Sequence, residues 1–280
     1  MNKNHIVFIS AALASAVAMQ ASAEEAAVET KSESVGCEAV VAVANAACAP
    51  ATVTVQQPKK EKLWSGEIDA SYINLSGNTE ETTTSGSVHL TRKENAWKNI
   101  IHAEGLSSVK DDIRTAEKYY AYDKLSYNFT EKSYYFGMLS YTDDHFSGYD
   151  YQASAIVGLG RNLLSAENMV WDLEAGVGYR VSKIEANPAE MILEEDQDEA
   201  IIRIATLYTW TISDNANFLQ SLSSEIGEEN TISQSETALK VKINSSLALK
   251  LSYKVKYTDV VPIETKHADT ETIVSLSYAF

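Results

Sequence analysis

Two histidines and a glutamate in the first half of the chain have residue types that bind metals or change charge near neutral pH. His89 and His102 flank the dipeptide Asn95-Ala96, which is typical of a tight turn, and Glu104 follows His102 closely. If the flanking segments are strands joined by this turn, the two imidazoles lie directly opposite each other, with Glu104 nearby. The three residues are then a candidate metal or gating site. The alternative is that His89 and His102 are ordinary polar residues of an interior surface.

A larger set of charged residues occupies alternate positions of several segments, so that each group forms a stripe on one face of a sheet. The basic members are Lys240, Lys242, Lys250, Lys254 and Lys256. The acidic members are Glu67, Asp69, Asp172, Glu174 and Glu271. Opposed stripes could polarise a narrow pore for small ions or solutes. Alternatively, they pair with each other and fill the interior as a structural ladder. Lys240 and Lys250 are expected to face each other, and such a like-charge pair requires a third partner.

Catalysis has no support in the sequence. No motif places a serine beside either histidine, and no Gly-x-Ser-x-Gly nucleophile elbow occurs. We therefore predict that the protein is not an enzyme, and we assign no catalytic residues, cofactor or metal site. A barrel hydrolase is the alternative from the enzyme class.

The last residues of the chain indicate the structure that must position these side chains. Every second residue from Thr270 onward forms one set, which becomes apolar and then aromatic toward the end of the chain: Thr270, Thr272, Val274, Leu276, Tyr278 and Phe280. The intervening set is mostly small or polar: Glu271, Ile273, Ser275, Ser277 and Ala279. A strand with these two faces requires apolar solvent on one side and a closed sheet that pairs its edges. It looks like the closing strand of an outer-membrane β-barrel.

About twelve strand-like segments follow residue 63. We predict an all-β fold, an antiparallel transmembrane β-barrel of about twelve strands with a disordered N-terminal periplasmic extension. Tight connections alternate with generally longer, more polar ones, as periplasmic turns and outer loops do. Aromatic residues at strand ends on the predicted periplasmic side indicate a membrane-interface girdle. They are Trp64, Trp97, Trp171, Trp210, Phe129, Phe218 and Phe280. A soluble β-sandwich is the alternative.

The tenth and eleventh strand candidates specify a register. A short loop between them pairs Val241 with Leu249 on the lipid face and Lys240 with Lys250 inside, and a slip of one residue would exchange both faces. Asp123 fits this scheme badly, because it shares its phase with apolar residues and a carboxylate facing lipid is costly. We expect a β-bulge or a different strand boundary near Asp123.

The amino terminus has the form of a signal peptide. Lys3 precedes an apolar stretch at residues 6–19, and the Ala-Ser-Ala motif at residues 21–23 offers a cleavage site. The apolar stretch is too short for a membrane-spanning helix, which needs about twenty residues. The predicted organisation is a cleaved signal peptide (residues 1–23), a flexible periplasmic extension (residues 24–62) and a barrel (residues 63–280).

Composition limits the partners. Both cysteines, Cys37 and Cys48, lie in the extension, where an oxidising periplasm would permit a disulfide. The alternative is two incidental thiols. A formal net charge of −16 argues against nucleic acid as a partner. Residues 185–199 carry seven carboxylates and no base, but their spacing matches no calcium-binding loop, so we expect a solvated acidic loop.

Several stretches resemble one family. They are Leu63-Trp64-Ser65-Gly66-Glu67, Ser76-Gly77-Asn78-Thr79, Phe146-Ser147-Gly148-Tyr149-Asp150-Tyr151-Gln152, Ile212-Ser213-Asp214-Asn215, Ser235-Glu236-Thr237-Ala238-Leu239, and Thr270-Glu271-Thr272 with Tyr278-Ala279-Phe280. Over residues 63–280 the chain is similar to the salt-induced outer-membrane proteins of Gram-negative bacteria, whose domain is one of unknown function. The resemblance implies an outer-membrane barrel and a link to osmotic conditions, with no established activity and no catalytic residues.

We therefore expect a porin-like barrel in the outer membrane that forms a narrow channel for ions or small solutes in the osmotic or salt response. The alternative is a plugged structural or interaction barrel of the cell envelope that transports nothing. The expected partners are outer-membrane lipids, lipopolysaccharide and the barrel-assembly machinery, whose recognition signal the C-terminal strand resembles.

Overall fold

The computed structural model describes residues 62–76, 80–145, 147–184, 195–261 and 266–280. The predicted signal peptide, the extension up to residue 61 and both cysteines lie outside the described residues, as do residues 185–194 of the acidic stretch. Within the described ranges, no helix is long and apolar enough to cross a membrane.

Twelve strands form the described part of the chain, which confirms the predicted number. They are β1 (Trp64–Leu75), β2 (Glu81–Glu94), β3 (Trp97–Lys110), β4 (Ile113–Asn128), β5 (Ser133–Asp144), β6 (Tyr149–Ser165), β7 (Met169–Ile184), β8 (Glu195–Ser213), β9 (Ala216–Gly227), β10 (Thr231–Lys242), β11 (Leu247–Thr258) and β12 (Ala268–Ala279).

The strands close into one antiparallel barrel. Each strand pairs with its neighbours in the sequence, and β1 pairs with β12 to complete the circle. We call the end at which β1 begins and β12 ends the inner end, and the opposite end the outer end. The inner-end connections are short, whereas the β7–β8 connection at the outer end spans ten residues. One outer turn is also tight, because Asp111 and Asp112 join β3 to β4 with φ of 48° and 63°.

An apolar belt covers the outward face of the barrel. On β12, Val274, Leu276 and Tyr278 are exposed, while Ser275 and Ser277 between them are buried. The four tryptophans are also exposed and lie near the inner end of their strands, as the girdle prediction requires. A closed sheet with apolar side chains outside and polar side chains inside is the pattern of a transmembrane β-barrel. The soluble-sandwich alternative does not fit this arrangement.

The seam between β1 and β12 is closed at the inner end by the last residue of the sequence. The backbone N–H of Gly66 donates to the Phe280 carbonyl oxygen at 3.1 Å, and the N–H of Phe280 donates to the Gly66 oxygen at 3.0 Å. A Cβ atom on Gly66 would lie 2.2 Å from the Phe280 ring. The absence of a side chain at Gly66 therefore provides the space that the Phe280 ring occupies against the seam.

The predicted register of β10 and β11 is confirmed. Val241 pairs with Leu249 on the exposed face, and Lys240 pairs with Lys250 on the inner face. The predicted register of β2 and β3 is also confirmed, because His89 pairs with His102 across the Asn95-Ala96 turn.

The expectation of a β-bulge or a strand boundary near Asp123 is wrong, because β4 runs from Ile113 to Asn128 through Asp123. The β3–β4 ladder runs without interruption from Ile101 opposite Asp123 to Asn99 opposite Leu125, and its register shifts only between Ser108 and Val109. Asp123 therefore stays on the outward face, where it is exposed. It accepts a hydrogen bond from Asn99 Nδ2 at 2.5 Å, so a polar partner on the next strand offsets part of the cost of its position.

A hydrophobic cluster occupies part of the barrel interior. Phe136, Met138, Ile156 and Ile201 are buried, and Tyr122 and Tyr134 pack against them. The cluster lies on β4 to β6 and β8, so apolar packing fills this side of the lumen.

Two paired glycines make room for this cluster. Gly158 lies opposite Gly176 on β6 and β7. A Cβ atom on Gly158 would lie 2.4 Å from the carbonyl oxygen of Ala175 and 2.8 Å from the ring of Phe136. A larger residue at this position would therefore displace either the neighbouring backbone or the core ring.

We expect Gly158→Ala to lower the free energy of unfolding by about 1–3 kcal/mol, because the added methyl group meets backbone that cannot move away. Urea unfolding of the refolded barrel in lipid vesicles measures this change. Gly137→Ala is the matched control, since a Cβ atom there meets nothing within 4 Å. Equal stability of the two variants would contradict the packing argument.

Candidate functional site

The barrel encloses a polar cavity of about 1200 Å³. It begins among the inner-end turns, where Asn95 and Lys132 line it, and extends toward the outer end as far as Lys256 and Asp269. Inward-facing residues of the strands supply its wall, because the side chains of each strand alternate between lipid and lumen. We call this space the main cavity.

Within the described ranges, seven ion pairs connect strands that are not hydrogen-bonded neighbours. One of them, Arg180–Glu225, joins β7 to β9 at the outer end. The other six are formed by lysines whose side chains extend into the interior. We call them the crossing pairs. They are Lys240–Glu67, Lys250–Asp69, Lys254–Glu104, Lys118–Glu271, Lys124–Glu174 and Lys256–Asp144. Lys250 Nζ lies 2.9 Å from Asp69 Oδ2, Lys118 Nζ lies 3.0 Å from Glu271 Oε1, and Lys256 Nζ lies 4.0 Å from Asp144 Oδ2.

The crossing pairs supply the third partner that the Lys240–Lys250 pair requires. These two lysines face each other across β10 and β11. Lys240 bonds to Glu67 and Lys250 bonds to Asp69, both of which lie on β1. Two carboxylates from across the seam thus neutralise two adjacent ammonium groups.

Most of the charged residues predicted from the stripes line the main cavity, but Lys242 does not. It lies at the inner end, where its Nζ donates to the backbone oxygen of Asp214 at 3.1 Å. Asp172 lines the cavity and accepts from Asn162 Nδ2 at 2.9 Å. Glu174 is buried and accepts a hydrogen bond from the Tyr134 hydroxyl at 2.6 Å in addition to Lys124.

The two histidines meet inside the main cavity, with ring centroids 5.8 Å apart. His102 Nε2 lies 3.3 Å from Glu104 Oε2, and its ring also contacts the rings of Tyr120 and Tyr122. Glu104 is shared with Lys254. In the described part of the chain, no group of three or more histidine, cysteine, aspartate or glutamate side chains has a geometry that could hold a metal ion. The arrangement is a hydrogen-bonded and aromatic wall.

The outer end contains a buried polar network that the sequence did not reveal. Arg180 is 2% exposed and donates to Glu199 Oε1 at 2.5 Å and to the Asn230 backbone oxygen at 2.6 Å. Asn230 is buried in the β9–β10 loop, and its side-chain nitrogen donates to the Tyr149 hydroxyl at 3.2 Å and to the Val260 oxygen at 2.8 Å. We call these five residues the mouth network. It joins one outer loop to β6, β7, β8 and the β11–β12 loop.

Glu199 departs from the sequence prediction, which placed it in a solvated acidic loop. Residues 195–199 belong to β8, and Glu199 is the main partner of Arg180. It also accepts hydrogen bonds from the backbone N–H groups of Glu229 and Asn230 at 2.8 and 3.3 Å. A signal was available in the sequence, because Arg180 continues the inward phase of Asp172 and Glu174 and requires a carboxylate partner in a closed interior.

A second, smaller cavity of about 170 Å³ lies at the outer end beside the mouth network. Residues of the β5–β6 and β11–β12 connections line it, together with Lys256 and Asp269. We call this space the outer cavity.

These features define a transmembrane β-barrel of the outer-membrane type with a charged, partly filled lumen. The chain belongs to the family described as "Protein of unknown function, DUF481", whose model matches residues 68–280. It is 31% identical over 231 residues to "Uncharacterized protein YdiY" of Escherichia coli (strain K12), covering 81% of this chain and 88% of that protein. The domain family of unknown function indicated by the sequence motifs is thereby confirmed.

Solved barrels share the general architecture. An outer-membrane channel from Pseudomonas putida F1 is 7% identical, covers 78% of this chain and 95% of its own, and has a TM-score of 0.46. The translocator domain of the autotransporter NalP from Neisseria meningitidis is 10% identical, covers 77% of this chain and 87% of its own, and has a TM-score of 0.45. Both scores are low, and the fold assignment rests on the strand pairing described above.

The Lys254–Glu104 pair allows a test of the crossing pairs. We expect Lys254→Met to lower the free energy of unfolding by about 1–3 kcal/mol, because Glu104 then keeps its partial burial without its ammonium partner. Urea unfolding in vesicles measures the change, with exposed Lys110→Met as the control. The double variant Lys254→Met/Glu104→Gln should recover part of the loss, since it removes the unpaired charge. Additive losses in the double variant would mean that the two side chains are not coupled.

Proposed function

We propose that the protein is a narrow channel for ions or small solutes in the outer membrane, acting in the response to salt or osmotic conditions. The observation that carries this proposal is the main cavity, which runs through most of the barrel and is lined by ammonium and carboxylate groups. Fixed charges of both signs along a narrow path favour small ions and polar solutes over apolar ones.

The crossing pairs give the proposed channel a link to salt. An attraction between unlike charges in a water-filled space weakens as ionic strength rises, because the Debye length falls from about 10 Å at 0.1 M to about 3 Å at 1 M. Side chains that leave their partners at high salt return toward the wall and widen the path. Conductance should therefore rise with salt more steeply than the concentration of the permeating ions does.

A closed barrel without transport is the second candidate, and two observations favour it. The hydrophobic cluster fills one side of the lumen, and the mouth network joins loops across part of the outer end. In that case the crossing pairs and the mouth network hold the barrel shut, and its role in the envelope depends on its outer loops.

The proposed channel function implies a location for the protein and a set of partners. The chain is exported by a cleaved signal peptide, meets outer-membrane lipids and lipopolysaccharide through its apolar belt, and is inserted by the barrel-assembly machinery through its C-terminal strand. Phe280 supports the last point, because it completes the seam between the first and last strands.

Single-channel recording tests the two candidates. The refolded full-length protein in a planar lipid bilayer should give discrete conductance steps that grow faster than the bulk conductivity between about 0.1 M and 1 M salt, the range over which screening changes most. Lys250→Gln should weaken this excess dependence, because it removes two contacts to Asp69 and Glu236. A folded barrel that remains silent at every salt concentration would exclude the channel and favour the closed barrel.

The mouth network offers a separate prediction. Asn230→Ala removes the hydrogen bonds that join the β9–β10 loop to Tyr149 and Val260, so the outer end should open and the unit conductance should rise. Glu228→Ala changes an exposed side chain of the same loop and is the matched control. If Asn230→Ala conducts as the unaltered protein does, the network does not narrow the path.

A further inference from the structure

The main cavity and the outer cavity share two lining residues among those the structure describes, Lys256 and Asp269. Lys256 lies on β11 and Asp269 lies on β12, and the two are directly opposite each other in the ladder. Any solute that moves from one cavity to the other therefore passes these two side chains.

The opposite wall supplies a third charge at the same level. Lys256 Nζ lies 4.0 Å from Asp144 Oδ2, and Asp144 ends β5 on the far side of the circle of strands. An ion pair between β11 and β5 spans the lumen, because five strands separate its partners in either direction around the barrel. The path is thus narrowed at this level by a side chain that reaches across it.

A further charge pair lies just below this level, and the side chain of Lys266 also lines the outer cavity. Lys118 on β4 bonds to Glu271 on β12 at 3.0 Å, just below Asp269 on the same strand. On the side of β6 to β10, the mouth network fills the outer end, and Asn230 is buried there. Among the residues that the structure describes, the two cavities meet beside Lys256 and Asp269.

We infer that Lys256, with Asp269 beside it and Asp144 opposite, forms the constriction that selects permeating ions by charge. This inference rests on the proposed channel function and names the residues that control it. The ligand class is small inorganic ions, because three single charges around a narrow path can discriminate ions by sign without a built binding pocket.

The sign of the effect follows from the charges. Lys256 repels cations and attracts anions at the constriction, so its removal favours cations. Asp269 acts in the opposite sense, so its neutralisation should favour anions.

Reversal potentials in a KCl gradient across a planar bilayer test the inference. Lys256→Gln should raise the ratio of potassium to chloride permeability by about 25-fold, because one unit charge about 4 Å away in bulk water changes the occupancy of each ion about fivefold and in opposite directions. Lys256→Glu should raise it further, and Asp269→Asn should lower it. Lys110→Gln removes an exposed lysine at the outer end of β3 that lines neither cavity, and it should leave the ratio unchanged.

The possible outcomes distinguish failure of the constriction from failure of the channel as a whole. A wild-type barrel that folds but does not conduct would overturn both. A conducting channel whose selectivity is the same in Lys256→Gln, Lys256→Glu and Asp269→Asn would overturn the constriction alone. Heat-modifiable migration in gels checks that each variant is folded, and Asp269→Asn decides the matter if the Lys256 variants do not fold.

Discussion

The constraint on which the whole structure depends is that no backbone N–H or C=O group can remain unpaired in the hydrocarbon core of a membrane. A sheet meets this requirement only when its first and last strands pair, and here they do so through β1 and β12. The hydrogen bonds between Gly66 and Phe280 complete that pairing at the inner end. Closure fixes which face of every strand meets lipid, and it thereby gathers the charged residues of distant strands into one interior.

The interior is divided between two kinds of packing. On the side of β4 to β6 and β8, apolar residues around Phe136 and Ile156 are packed as in a soluble core, and glycines on β6 and β7 give them room. Elsewhere, lysines of β10 and β11 reach carboxylates on β1, β3 and β5. Screening by dissolved ions weakens ion pairs in water, whereas apolar packing contains no charges to screen. The lysine–carboxylate pairs of β10 and β11 are therefore the part of the interior whose contacts change with ionic strength.

The strands and their register were accessible from the sequence, because a period of two leaves a signal in every strand and the turn between β10 and β11 fixes Lys240 opposite Lys250. The pairs across the lumen were not accessible, since alternation says which face a side chain occupies but not which distant strand it meets. Glu199 was assigned to a loop because its neighbours in the sequence are acidic, although its position was decided by Arg180 on the adjacent strand. The prediction for Asp123 was wrong for a related reason. The pattern identified its exposed position, but not the Asn99 amide that bonds to it.

The crossing pairs also bear on how long the inserted barrel lasts. Lys240 and Glu67 are 173 residues apart in the sequence, and Lys250 and Asp69 are 181 apart. Contacts between such distant segments cannot form until the circle of strands is nearly complete, because the loop between them must first be ordered. Interactions that form after the rate-limiting step of folding slow unfolding without speeding folding. These lysines thus prolong the lifetime of a barrel that is already closed, and the rate at which it assembles is set by its local hairpins.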